Sequence, residues 1–595
     1  MSKKRHASLN LARRANQAQQ KRQQTTRRLL QPGQSQQPAR EALPSLKKYL
    51  QRARQALTEQ APDQPCLLVV SFSDGRKRAN IVHHNGQPPA QALDKLESQI
   101  KKRLKRDPMK VRWLKVDWAV DWQSSTWGQL KQDLSQHQAN FFRCHLALDS
   151  AAEFIFLEQE LNAHSIWHSN AREKKCHWDE ATFARYAKHS YGQQLEINTA
   201  DDQIVYTFSS EGLLIDEHGH THRLHSTGMQ QGIRQTPLDE NLCRTLIRQA
   251  SLHLAAQVTP SGRFVYGINP CFHRILNQYN SLRHMGTLYS MLEAWEVTAH
   301  ESVKQAIDSA LQYALTELVK DYTLDSGQTL AYVVDGEEIR LGGSGICLLA
   351  LVKYTQLTQD TQHLPLMERL AAGIEHMQNP QTGQFYHILN RSDLSLKEAF
   401  RVIYYDGEVA FALLRLYGLT GNERWLAVVK KGFDYFIAQD HWKIHDHWQG
   451  YAINELTLYC PEERYFKFGI QNIAGRIHVL RNRQTSNPIL LELAVASYQL
   501  LERLKTYPQH QHLFALIDLE AFYDALDHRA QRLVNFFFWP ELALYYPKAE
   551  RILGSFFMRE SDFRIRIDDV QHTLSGFIVY MHYRLHQNQS VSNAC

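Results

Sequence analysis

The chain has 595 residues, 43% of them hydrophobic and 10% aromatic, enough for two or three domains with sizeable cores. Its formal charge of +7 is an uneven average, because residues 1–50 carry twelve Lys and Arg against one acidic residue, Glu41, leaving the remainder mildly acidic. That distribution excludes a nucleic-acid-binding body, and eight scattered cysteines with no CxxC pair exclude a disulfide framework and a thiolate zinc cluster, as suits a reducing, cytoplasmic compartment.

The chain opens with a basic, Gln-rich arm, residues 1–61, read as a disordered tail with a short helix over 43–60. The charge of residues 1–50 would also attach to an anionic membrane surface, giving a cytoplasmic protein peripheral to the inner membrane; no nucleic-acid partner is expected. The positive start lacks the apolar stretch of a secretory signal, and no run is long enough to span a bilayer.

Residues 62–235 read as a mixed α/β domain whose role the sequence leaves open. CLLVVSF runs as a strand into Ser73-Asp74-Gly75, and ALDKLESQIKKRLKR is an amphipathic helix. RWLKVDWAVDW alternates so as to place Leu114, Val116, Trp118, Val120 and Trp122 on one strand face. The stretch 203–225 reads as a hairpin with turns at Glu211-Gly212 and His218-Gly219. Phe141, Phe142, Arg143, Glu158 and Glu160 are the most suggestive positions here, with Glu158 and Glu160 read as surface carboxylates.

From Leu238 the pattern changes to helical hairpins. Apolar helices begin near His284, Gly345, Glu408, Trp448, Pro488 and Val570, and amphipathic ones lie at 240–256, 301–320, 362–378, 422–438, 462–475 and 516–536. Several of the first set are apolar nearly all round and should be buried, while the second set keeps a charged face. An inner ring inside an outer ring satisfies both, so residues 236–595 are expected to form an all-α (α/α)6 toroid. A polar cluster precedes five of the six inner helices: Tyr279-Asn280 with Arg283-His284, Gly342-Gly343-Ser344, Tyr404-Tyr405-Asp406 with Glu408, His445-Asp446-His447, and Arg564 to His572. Gly262-Arg263-Phe264-Val265-Tyr266 and Gly383-Gln384-Phe385-Tyr386 read as short β excursions.

The Gly-Arg-Phe segment, Tyr279-Asn280, Arg283-His284, Tyr405-Asp406-Gly407-Glu408 ahead of ALLRLYGLTGNERWL, and His447-Trp448 ahead of YAINEL carry a resemblance. Residues 240–590 resemble the α/α-toroid enzymes that include D-glucuronyl C5-epimerases, N-acylglucosamine 2-epimerases and six-hairpin glycosidases. The resemblance implies a carbohydrate-active enzyme. Peptide cyclisation is set aside, because no Cys-His-Gly motif occurs, and GxSxG and Walker motifs are absent too.

In such a toroid the inner helices run the same way, so their N-termini and polar clusters meet on one rim. Free N–H groups there, with Arg283 and Arg566, favour an anionic ligand. The expected catalytic set is Tyr279, His284, Tyr405, Asp406, Glu408, His447 and Asp568, and the substrate-binding set is Arg263, Asn280, Arg283, Trp448, Arg566 and His572. The expected substrate is an acidic sugar or cell-envelope polysaccharide. Epimerase-type proton transfer needs a Tyr or His base and a cation for the developing enolate, whereas hydrolysis needs paired carboxylates, such as Asp406 or Glu408 opposite Asp568. A non-catalytic glycan-binding or assembly protein is the third reading. Each cluster also has a plain structural explanation: Asp406, Glu408, Asp568 and Asp569 as first-turn caps, and Arg566 with Asp568 as an ion pair closing the ring. The HxH pair His445-Asp446-His447 does not by itself define a zinc site, since thirty histidines make chance pairs common, so no metal or cofactor is expected.

Overall fold

The computed structural model describes residues 43–592 except Ala139, 170–174, 193–194 and 196. The expected membrane-attaching arm therefore falls largely outside the described residues. Its last segment is helix α1 (Leu46–Gln60), capped by Ser45 and burying Tyr49, Leu50, Ala53 and Leu57.

The first half is built on an antiparallel sheet of β1 (Cys66–Ser73), β2 (Asn80–Gln87), β3 (Trp113–Thr126), β4 (His145–Ala147), β5 (Ile155–Phe156), β8 (Ile204–Ile215) and β9 (Thr221–Arg223), ordered β2-β1-β3-β8-β4-β5 with β9 on β8. A separate pair, β6 (Trp167–Ser169) and β7 (Cys176–Trp178), lies apart. Helices α2 (Pro89–Arg106), α3 (Trp127–Gln136), α4 (Glu158–Ala163) and α5 (Glu180–Tyr191) flank the sheet. Strand alternation gives the sheet two buried faces. Leu68, Val70, Phe72, Leu114, Val116 and Trp118 pack with α1 and α2. Leu67, Val69, Trp113 and Leu214 join the apolar core of the helical half.

Three local expectations are corrected. The alternation of β3 fails beyond Val120, where Asp121 takes φ 54° and the register with β8 shifts, leaving Trp122 38% exposed on Tyr206 and Phe208. Glu211-Gly212 is not a turn. Strand β8 runs straight through it, and the glycine is there because a Cβ would collide with the Val116 carbonyl and the Asp117 carboxylate of β3. Glu158 and Glu160 are not surface carboxylates but 1% and 6% exposed. Burial requires partners: Glu158 accepts from Arg559 and from Asn162 (2.7 Å) with Arg143 at 3.3 Å, and Glu160 accepts from Tyr186 and the Leu157 amide.

The second half alternates outer and inner helices. The outer ones are α6 (Glu240–Ala255), α8 (Glu301–Tyr313), α10 (Leu364–His376), α12 (Glu423–Ala438), α14 (Glu463–Ala474) and α16 (Leu519–Leu533). The inner ones are α7 (Ser281–Thr298), α9 (Leu341–Thr358), α11 (Tyr405–Thr420), α13 (His447–Tyr459), α15 (Ile489–Leu504) and α17 (Ile567–Ser592). Each inner helix packs on the next, and α17 returns to α7. The outer helices lie against these, as when α6 touches both α17 and α7. Residues Leu341–Val352 of α9 are buried without a break, and their one polar side chain, Ser344, accepts from the Val333 amide at 3.0 Å.

Glycines let the inner helices approach closely near their first turns. A Cβ on Gly342 would strike the Glu408 carboxylate, and one on Gly407 would strike the Gln449 amide and Asp446. The polar-then-glycine phrases of the sequence are therefore contact points between neighbouring inner helices. The two β excursions are tight turns at Gly262 (φ 84°) and Gly383 (φ 83°), each against the backbone of an outer helix, at Ser309 and Lys431. Strands β10 (Gly267–Asn269), β11 (Arg274–Ile275) and β17 (Ile565–Arg566) form one small sheet, and β12 (Val319–Thr323), β13 (Thr329–Asp335), β14 (Glu338–Arg340), β15 (Ile388–Asn390) and β16 (Leu396–Glu398) form another, not expected from the sequence. Among the described residues no helix is long and apolar enough to cross a membrane.

Candidate functional site

A cavity of about 530 Å³ opens where the inner helices begin. Five of the six inner helices supply wall residues, and the strand that leads into the sixth supplies another: Arg283 from α7, Arg340 from the end of β14 ahead of α9, Tyr405 and Glu408 from α11, His447 and Trp448 from α13, Ile489 from α15, and Asp568 and His572 from α17. Asn280 caps α7 by accepting from the Arg283 amide, and Asp446 caps α13 by accepting from the Trp448 and Gln449 amides. These caps fix the helix starts and aim the side chains that follow.

Nine of the thirteen expected site residues line this cavity: Asn280, Arg283, Tyr405, Glu408, His447, Trp448, Arg566, Asp568 and His572. Four do not. His284 is fully buried, its Nδ1 2.6 Å from the Tyr279 hydroxyl and its Nε2 donating to the Ala310 carbonyl at 2.9 Å. Arg263 lies over the Tyr279 ring at 4.1 Å. This Tyr279, His284, Arg263 group is packing behind α7. Asp406 also sits behind the wall, and its role is visible in the hydrogen bonds. Nδ1 of His387 accepts the Arg401 and Val402 amides, so its Nε2 carries the proton and donates to Asp406 Oδ1 at 3.2 Å. Asp406 thus anchors the loop that brings Arg401 and Tyr404 to the cavity.

The floor holds a His447, Glu492, His572 trio whose side-chain donor atoms lie within 4.8 Å of one another. Nδ1 of His572 is 2.6 Å from Glu492 Oε2, and its Nε2 is 3.5 Å from Arg283 Nη1. A guanidinium can only donate, so Nε2 accepts and the proton of the neutral ring resides on Nδ1. Burial, then the Arg283 charge, lowers His572 to about 4. Burial lifts Glu492 to about 8, opposed by His447. His447 comes within 3.4 Å of Asp446 and 3.7 Å of Glu492, ion-pair distances at which neither ring nitrogen makes a hydrogen bond. It is 2% exposed, so an imidazole with two acidic neighbours and no hydrogen bond is held on the cavity floor. The trio has the donor set of a metal site with one open position. Arg283 places a fixed positive charge beside it, which opposes a cation there and favours proton handling.

On α11, three places round the ring from α17, burial pushes Glu408 up to about 8, opposed by Arg283, and its Oε2 has no hydrogen-bond partner. Asp568 stands 3.3 Å from Arg283 and 3.1 Å from Arg566, which also holds Asp569 at 2.9 Å. The expected ring-closing ion pair is therefore present, and it involves residues of the cavity wall. Arg483, at the mouth, bonds Thr485 and has no carboxylate partner among the described residues. Arg340, Arg401, Arg483, Glu492 and Glu560 were not anticipated. Of these only Glu492 left a signal, as the lone charge in the first turns of an otherwise apolar inner helix, ILLELAVASYQLL.

No family model matches the chain, and no curated protein matches it. Solved structures similar to it include D-mannose isomerase (12% identity, 58% of this chain and 99% of that one, TM-score 0.44). Others are cellobiose 2-epimerase from Bacillus thermoamylovorans B4167 (14% identity, 58% and 100%, TM-score 0.43) and the GH76A alpha-1,6-mannanase from Salegentibacter sp. HEL1_6 (12% identity, 57% and 98%, TM-score 0.41). At such identities they assign no residue and no reaction.

Proposed function

We propose that the six helix pairs form an (α/α)6 toroid and that the chain is a carbohydrate-active enzyme transferring a proton on an acidic sugar. The observation that carries this reading is the buried His447, set between Asp446 and Glu492 with no hydrogen bond to either ring nitrogen, beside the Glu492-bound His572, on the floor of a cavity walled by arginines. Arg283 and Arg566 would receive the sugar carboxylate and hold the charge that develops when the adjacent C–H is broken. The bound carboxylate offsets the Arg283 charge that depresses His572, so Nε2 becomes a better base once substrate is present. The two imidazole centroids are only 5.3 Å apart, too close to enclose a sugar ring, so both act from one side. Glu408 on α11 carries a proton at neutral pH and supplies it from the other side, inverting the carbon. The same Glu408, as acid, opposite Asp568 favours hydrolysis as the second reading.

Incubation of polyglucuronate, polymannuronate and polygalacturonate in D2O separates these. Proton transfer predicts deuterium at the carbon next to the carboxylate without new reducing ends; hydrolysis predicts reducing ends without label. Neither product from any acidic glycan leaves the non-catalytic binding reading standing. His572→Ala is expected to abolish labelling with the melting temperature unchanged, and a labelling rate equal to wild type would remove the histidine from the site.

A further inference from the structure

A second cavity of about 510 Å³ lies in the first half of the chain, between α2, the start of β2, α4, α5 and Tyr545. It shares no residue with the first cavity. Its charges do not balance. Lys77 is taken up by Asp107 at 2.8 Å. Arg78 spends its guanidinium on three carbonyls, those of Ala163, Tyr545 and Cys271, and so staples the two halves of the chain without meeting any carboxylate among the described residues. Arg103, on α2, also has no carboxylate partner there. Glu160 is the remaining acid, and burial raises it to about 7 while Tyr186 and the Leu157 amide donate to it. Two guanidinium charges thus face one half-ionised, already partnered carboxyl.

The wall also offers a defined acceptor. Nδ1 of His164 is 2.9 Å from the Glu160 carbonyl, which can only accept, so the proton is on Nδ1 and Nε2 presents a bare lone pair. The ring is fixed by stacking on Tyr186 at 3.8 Å. Burial depresses His164 to about 3, with the Arg78 charge adding, so it stays a neutral acceptor at working pH.

We propose that this cavity binds a hydroxylated acid, a sugar acid or sugar phosphate, with its oxyanion at Arg103 under the Arg78 charge and a hydroxyl donating to His164 Nε2. Half-buried guanidinium groups without counter-charge favour an anion, and the imidazole selects for a hydroxyl beside it. The site stands whether or not the first cavity is catalytic.

Calorimetry on the full chain tests it, with D-glucuronate and D-glucose 6-phosphate as probes and D-glucose as the neutral control. The expected result is one equivalent of acid bound by the Arg283→Gln variant, whose first cavity is disabled. Arg103→Gln in that background should weaken it roughly tenfold, the loss of one charge-assisted contact, while Arg103→Lys keeps most of the affinity. His164→Phe should weaken the acids further without restoring glucose binding. Preference for glucuronate or for the phosphate identifies which oxyanion the site takes. The proposal is overturned if neither acid binds the Arg283→Gln variant, if Arg103→Gln binds as tightly as its parent, or if glucose binds equally well.

Discussion

Glu408 gives the most direct residue-scale prediction. Its ordinary value of 4.5 is raised by burial to about 8 in the folded chain, and Glu492 behaves alike. A carboxyl raised on folding holds its proton in the native state over a range where the unfolded chain has lost it. Its contribution to stability is complete below about 4.5 and disappears as pH rises through about 8. The melting temperature should fall between pH 5 and 8.5, and Glu408→Gln, which keeps the shape and cannot ionise, should flatten part of that fall. A variant curve parallel to wild type would show that Glu408 is already ionised at neutral pH.

At the same scale, Gly342 and Gly407 separate site from scaffold. Alanine at 407 meets backbone and the Asp446 cap, which cannot yield, so Gly407→Ala should cost about 2 kcal/mol in chemical denaturation. Alanine at 342 meets only side chains, the Glu408 carboxylate, the Tyr405 ring and Leu282, all of them residues of the cavity wall. Gly342→Ala should therefore reduce turnover more than stability. Equal stability losses in both variants would contradict that assignment.

Among the elements, the loop between α16 and α17 links the two halves. Arg559 lies on it, bonded to Glu158 of α4, while its neighbours Met558 and Glu560 line the first cavity. The sheet-bearing half thus holds one wall of the site. Glu158→Ala would leave Arg559 and Arg143 buried without their counter-charge, and a loss of about 3 kcal/mol is expected, read as a lower melting temperature. Arg234 with Glu541, bonded at 2.8 Å and 2.9 Å, is a second such tie.

The inner helices were legible in sequence because burial on all sides removes polar residues from every face, a pattern few other environments require. The outer helices were legible from their one charged face. The rim residues at a helix start, such as Arg283, Glu408 and His447, were legible as polar groups set at the head of an apolar run. Arg340, Arg401 and Arg483 were not, because they reach the cavity from a hairpin and two loops whose placement depends on partners far along the chain. His387 and Asp406 show the difficulty: only the fold reveals that an aspartate in a first turn serves a loop through a histidine nineteen positions earlier. Glu158 and Glu160 read as exposed because their partners come from far along the chain, Arg559 for Glu158 and Tyr186 for Glu160.

At the scale of the whole molecule, one apolar core runs from the sheet into the ring of helices, so the sheet-bearing half is part of the scaffold as well as the holder of a second cavity. The central claim is that the six inner-helix starts share one acidic-sugar site. A structure of the chain soaked with a glucuronate disaccharide tests this most directly. The account predicts the carboxylate between Arg283 and Arg566, with the adjacent carbon facing His447 and His572 on one side and Glu408 on the other. A disaccharide bound with its carboxylate away from both arginines, or absent from this cavity at saturating concentration, would contradict it.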